Sequence, residues 1–167
     1  MSMKIKNRDR LIRKLAMIPQ VVRDELTKAL DKSGKEMSDL AQRFAPVDSG
    51  ALKASIGYQF GDYAADNANV RGVNSGGGGH DLAVTVHAGS KDAWYASLVE
   101  FGTSSHEITA KNSAVLADGV KIYGRKVKHP GSNAQPFFFP AYRLTKKRAK
   151  GRLKRAMSAG CKKAVQG

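Results

Sequence analysis

The chain has 167 residues, 41% of them hydrophobic and 26% charged, with a formal net charge of +15 and one cysteine. These values fit one domain with a real core rather than a disordered polymer. The lone Cys161 excludes an internal disulfide scaffold and a multi-cysteine zinc site, and it fits a reducing cytosol. The placement of the charge matters more than its size. Residues 1–118 hold 15 basic and 14 acidic side chains, whereas residues 119–167 hold 14 basic and none acidic. Such asymmetry points to a polyanionic partner, either nucleic acid or an acidic protein surface; the plainer reading is a solvated basic face.

The N-terminus is basic, but charges interrupt its apolar residues, so no signal peptide is expected. No apolar run approaches the roughly 20 residues that a membrane span needs. From Asp9 to Phe44, Leu11, Leu15, Ile18, Val22, Leu26, Leu30, Met37, Leu40, Ala41 and Phe44 recur mostly at steps of three or four, the mark of a helix with one buried stripe. Pro19 predicts a break and the first turn of a second, longer helix ending before Pro46. In "APVDSGALKASI", Asp48 or Ser49 is placed to cap a short helical turn over Gly50–Ala54.

Strands are expected at Ser55–Phe60 and Leu82–Ala88, the second alternating cleanly. The stretch between them, Gly61–Asp81, contains four consecutive glycines and predicts a mobile loop at a hairpin tip. A phosphate-binding glycine loop would need a following Lys-Ser/Thr, which is absent. "DAWYASLVEFG" predicts a short helix with Trp94, Leu98 and Phe101 on one side and Gly102 as its stop. "HEITAK" and "VKIYGRKVK" predict one or two strands around a turn at Asp118–Gly119, and "HPGSNAQP" a loop. From Phe137 the pattern is helical again, with Phe138, Tyr142, Thr145, Ala149, Leu153, Met157, Cys161 and Ala164 as the inward stripe of a rod about 40 Å long. On this stripe Cys161 reads as a small buried residue.

His80, His87, His106 and His129 form no HExxH or i, i+4 pair, and no serine sits in a nucleophile elbow. Neither a metal, nor a cofactor, nor a catalytic constellation is predicted. Glu100 with Glu107, or Asp48 with Glu100, is the nearest approach to an acid/base pair. The plainer reading makes Asp48 a cap and Glu100 the partner of a basic side chain.

The C-terminal helix is the informative part. Arg143, Lys146, Lys147, Arg148, Lys150, Arg152, Lys154 and Arg155 lie off its stripe. Like charges at i, i+4 each destabilise an isolated helix by about 0.2–0.5 kcal/mol, cations near its start oppose the macrodipole, and Gly151 costs about 1 kcal/mol more. Such a helix needs tertiary packing and a negatively charged neighbour. The Phe137–Phe139 cluster is placed to anchor it, and Ala149, Ala156 and Gly160 would let another helix approach closely.

The phrases "RFAPVDSGALKASI", "WYASLVEFGTSSHEI", "VKHPG" and "AQPFFFPAY", in this order between long terminal helices, resemble the small tail-component proteins of long-tailed bacteriophages and prophages, also called tail-completion or head–tail joining proteins. The resemblance covers about Phe44 to Tyr142, and both terminal helices by pattern. It implies a structural rather than enzymatic protein: a virion subunit, made in the host cytoplasm, that assembles into a homo-oligomeric ring, commonly hexameric. Such a ring meets the tail tube on one side and neck or connector proteins on the other, around the path of the genomic DNA. Carried onto this chain, the matching positions are Pro46, Asp48 and Gly50; Tyr95, Glu100, Gly102 and Thr103; and His129, Pro130, Gly131, Pro136 and Phe137, all read as fold-defining turns and anchors. The "NSGGGGHD" loop and the acid-free C-terminal helix depart from the pattern.

The expected fold is therefore α+β: an antiparallel sheet of four or five strands covered by the N- and C-terminal helices, in one domain over 1–167, with helices over 9–45, a sheet region over 46–136 and a basic helix over 137–165. The basic face is expected to be an assembly surface. The rival reading is a stand-alone nucleic-acid-binding protein, which the basic third supports but the lack of interleaved aromatics and known motifs does not.

Overall fold

The computed structural model describes residues 20–64, 81–111, 115–117 and 119–166. The Pro19 break and most of the glycine-rich loop lie outside the described residues. The fold is α+β. Two long helices, α1 (Gln20–Phe44) and α4 (Phe138–Gln166), pack side by side. Between them in sequence come a one-turn helix α2 (Ala51–Ala54), a hairpin of β1 (Gly57–Phe60) and β2 (Val84–His87), a short helix α3 (Ala96–Phe101), and the strands β3 (His106–Thr109), β4 (Leu116–Ala117), β5 (Ile122–Gly124) and β6 (Lys126–His129).

The single sheet of four or five strands is not what forms. Among the described residues there are three separate two-stranded antiparallel ladders, β1–β2, β3–β6 and β4–β5. The reason is local. The strands are two to four residues long, and each is paired with one antiparallel partner. A register irregularity at Leu116/Ala117 and the left-handed Gly124 (φ 88°) interrupt the ribbon, so β4–β5 does not extend β3–β6. Strand β3 is exposed at all four residues, so no hydrophobic alternation binds it to the body.

The core is small and rich in alanine. Ala41 and Ala45 at the end of α1, Leu52, Ile56, Ala96 of α3, and Phe137 and Ala141 at the start of α4 form one buried cluster. Phe137 is 1% exposed, a burial that stabilises by roughly 1.5–3 kcal/mol. The same residue of α1 that faces β1–β2 is Gly34, where a Cβ would meet Val84 at 2.6 Å and Tyr58 at 2.7 Å. Farther along the pair, Gly160 is buried and a Cβ there would lie 2.7 Å from the Val22 Cα. The close helix approach expected at the small residues is thus realised at Gly160.

Both helices bury a stripe shifted from the predicted one. On α1 the buried residues are Val22, Leu26, Ala29, Gly34, Ser38 and Ala41, whereas Leu30, Met37 and Leu40 are only half-buried and Phe44 is exposed. On α4 they are Phe137 (just ahead of the helix), Ala141, Thr145 and Gly160; Tyr142 and Met157 are exposed, and Cys161 is exposed rather than buried. Close backbone approach selects small residues for the contact line and pushes larger apolar side chains to its margins. Thr145 tolerates burial because its hydroxyl donates to the Ala141 carbonyl at 2.8 Å.

Candidate functional site: the Glu100 junction and the two faces of α4

Helix α4 starts where α3 ends. Glu100, in the last turn of α3, is 6% exposed. Its Oε2 accepts from the backbone N–H of Phe137 and of Phe138, both at 2.8 Å, and its Oε1 accepts from Phe139 N–H at 3.0 Å. A helix begins with four N–H groups that have no intrahelical acceptor. Counted from Phe137, three of them are bound by this one carboxylate. The fourth position is Pro140, which has no N–H. Every orphan donor is thereby accounted for, and the negative charge sits at the positive end of the helix dipole. Among the described residues, Glu100 pairs with no basic side chain, contrary to the sequence expectation. Both of its oxygens accept backbone N–H bonds, while Glu107 forms an ion pair with Lys126 on the exposed ribbon at 3.0 Å. The two carboxylates serve separate structural contacts.

The backbones cross just beyond. Thr103 N–H donates to the Ser132 carbonyl at 2.9 Å and Ser132 N–H returns to Thr103 O at 3.1 Å. Gly102 (φ 70°) and Gly131 (φ 88°) flank this bridge. A Cβ on Gly102 would lie 2.6 Å from Ser132 O, and one on Gly131 only 2.2 Å from Thr103 O. Positive φ and lack of room therefore both require glycine here. Gln135 N–H donates to Val99 O at 2.8 Å and completes the clasp. Gly102 ends α3, as its position predicted.

The "APVDSG" turn borders the same place. Pro46, Asp48 and Gly50 line an open groove of about 390 Å³ together with Tyr95, Leu98 and Val99 of the α3 region. Asp48 does not cap α2: no side chain caps that turn, and only Ser49 Oγ approaches the Ala51 N–H, at 3.4 Å. Pro130 and Pro136 are exposed on either side of the 131–135 segment. His129 Nδ1 accepts from Gly131 N–H at 3.0 Å, and its ring lies 5.0 Å from that of His106 across the β3–β6 ladder. The sequence spacing gave no sign of that histidine pair.

The groove leads onto an apolar strip that sequence reading did not place at the surface. The expected common side of Trp94, Leu98 and Phe101 faces outward: they are 51%, 40% and 68% exposed, while α3 buries Ala96 and Glu100. Phe101 stacks at a tilt on Phe139, 5.8 Å between ring centres. Val47 and Leu98 on the groove wall extend the strip. The signal that could have revealed it is Glu100 itself: once it points inward, its helical neighbours at 98 and 101 cannot.

Nine of the ten basic residues of α4 divide into two groups. Arg148 and Arg152 both bind Glu36 of α1 at 2.5 Å, and Arg152 also donates to Ser33 Oγ at 2.7 Å. Lys163 pairs with Glu25 at 2.8 Å. That contact, first by its hydrogen bond and then by its charge, holds the Glu25 carboxyl below the usual glutamate range, with Lys28 adding to the effect. The acidic neighbour expected for the basic helix is α1. Arg143, Lys146, Lys147, Lys150, Lys154 and Arg155 are exposed, and Lys146 lies over the Tyr142 ring at 5.3 Å.

Among the described residues, no helix is long and apolar enough to cross a membrane. No curated protein and no solved structure matches the chain. Residues 9–102, ending at the glycine that closes α3, match the model of the HK97-gp10-like family, described as "Bacteriophage HK97-gp10, putative tail-component". The match spans more than half of the chain and stops at the junction, so this protein belongs to the HK97-gp10-like family of phage tail components.

Proposed function

We propose that this tail component is a ring-forming subunit at the head-proximal end of the tail, joining the tail tube to neck or connector proteins. It acts in the virion after assembly in the host cytoplasm, and its work is geometric rather than catalytic. The observation that carries this reading is the apolar strip Val47–Leu98–Phe101–Phe139, exposed beside the Glu100 junction. Contiguous apolar surface of this kind marks a protein–protein interface, and aromatic side chains dominate such interfaces. The exposed β3–β6 ribbon supports it, because a two-stranded ladder is marginal in water unless it packs against something further. Closed rings of identical subunits arise when one surface meets a different surface of the next copy. Six copies is the expected number.

The test is assembly. Phe101→Ser together with Phe139→Ser removes apolar contact area that is exposed in the monomer. The variant is expected to keep its helical circular dichroism, to lose the oligomer in sedimentation velocity, and to yield particles whose heads and tails stay separate. A variant that still forms rings by electron microscopy and joins heads to tails would contradict the proposal.

A further inference from the structure

We infer that the outer face of α4 is a binding surface for the phosphate backbone of a nucleic-acid duplex, read without sequence preference. At about 100° per residue, Arg143, Lys146, Lys147, Lys150 and Lys154 fall within roughly 100° of arc, directly opposite the face that packs on α1. Every position on that arc from 143 to 154 is Lys or Arg, and all five are exposed. The row is straight and about 16 Å long, at 1.5 Å per residue. Adjacent charges along it stand roughly 5–6 Å apart. The helix carries no carboxylate to interrupt it.

A second copy of this chain does not fit the row. The described carboxylates are largely engaged inside the chain: Glu25 and Glu36 on α4, Glu100 on backbone N–H groups, Glu107 on Lys126, and Asp81 on Arg23. The longest acidic run in the sequence is the pair Asp24–Glu25. The complementary charge therefore comes from another molecule. An acidic protein is the poorer fit, because lysine is depleted at protein–protein interfaces and this row is four lysines and one arginine with no apolar residue among them. A single strand is also a poorer fit, because such sites interleave aromatic platforms with the charges. A regular line of lysines suits the regular, sequence-independent charge of a duplex backbone. This inference goes beyond ring formation: the row begins one turn beyond Phe139, on the same side of α4, and is a charged surface continuing from the apolar strip.

The experiment measures anisotropy of a fluorescent 24-base-pair DNA duplex with the full chain from 50 to 200 mM salt. If all five cations release counterions, the logarithm of the binding constant falls with that of salt at a slope steeper by about 4 to 5 than in a chain lacking them. The variant R143Q/K146Q/K147Q/K150Q/K154Q keeps good helix formers at each position. It is expected to bind at least tenfold more weakly at 50 mM salt and to lose that part of the slope. The Phe101→Ser, Phe139→Ser variant, measured in parallel, is expected to keep the slope per protomer even though it no longer assembles. Equal affinity and slope for wild type and the five-fold variant would overturn the inference. So would tighter binding of the wild type to poly-glutamate, or to vesicles of anionic lipid, than to the duplex at equal salt.

Discussion

The two faces of α4 carry the same residue types and do opposite things. On the inner side Arg148, Arg152 and Lys163 meet Glu36 and Glu25 of α1, so their charges tie the two long helices together. On the outer side Arg143, Lys146, Lys147, Lys150 and Lys154 repel one another with no carboxylate on their helix. The net charge of a segment therefore says little about use. What decides it is the rotation of each cation about the helix axis relative to the acids of the neighbouring helix. That rotation is fixed upstream, where Glu100 and Pro140 settle how α4 begins.

The largest expected effect breaks the frame that separates the faces. Glu100→Ala leaves three helix-start N–H groups without an acceptor in a buried place. Hydrogen bonds to charged groups are worth about 1.5–3 kcal/mol each, and an orphaned buried donor costs about 1–3 kcal/mol. We expect a loss of roughly 3–5 kcal/mol, read as a fall of about 6–20 °C in Tm. Gly131→Ala strikes the same junction from the other side, because the added methyl meets Thr103 O at a position with φ 88°. A loss of at least 2 kcal/mol is expected there, measured by urea denaturation. An unchanged midpoint for either variant would show that the junction does not hold α4 in place.

Next comes the inner face alone. Arg152 is 19% exposed at its side chain and shares Glu36 with Arg148. Arg152→Met removes its bonds to Glu36 and Ser33 but keeps apolar volume, and about 1–2 kcal/mol of destabilisation is expected. The smallest effect sharpens the comparison through pH. The Glu25 carboxyl is held below its ordinary range by Lys163, so its contribution is full above the unfolded pKa and is lost as pH falls through the folded one. Wild type and Lys163→Met are expected to differ slightly in Tm at pH 7 and to converge toward pH 3. A difference that grew on acidification would reverse the assignment.

Much of the scaffold could be read from residues in order. The two long helices, the hairpin of β1 and β2, the stop at Gly102 and the need of the basic helix for an acidic neighbour all follow from local pattern and charge. Three features could not. Glu100 caps a helix that starts 38 residues later in the chain, so no local capping signature exists to find. The buried stripes run through Ala29, Gly34, Ser38, Ala141 and Gly160, which hydrophobic periodicity underweights because it follows size rather than closeness of approach. The sheet failed for a different reason. Strand-like composition in "HEIT" and "KVKH" is enough for a ribbon, but joining ribbons into one sheet needs length and a buried face that these segments lack. The apolar strip at Phe101 and Phe139 was hidden for the first of these reasons: its outward direction depends on where Glu100 points.

The division of α4 into a face for the fold and a face for a partner is tested most directly by one paired measurement. Thermal melts and infectious-particle yield would be compared for R143Q/K146Q/K147Q/K150Q/K154Q and for R148Q/R152Q. The account predicts that the outer variant melts at or slightly above wild type and yields few infectious particles, whereas the inner variant melts several degrees lower. An outer variant that loses stability, or that supports normal particle yield, would contradict it.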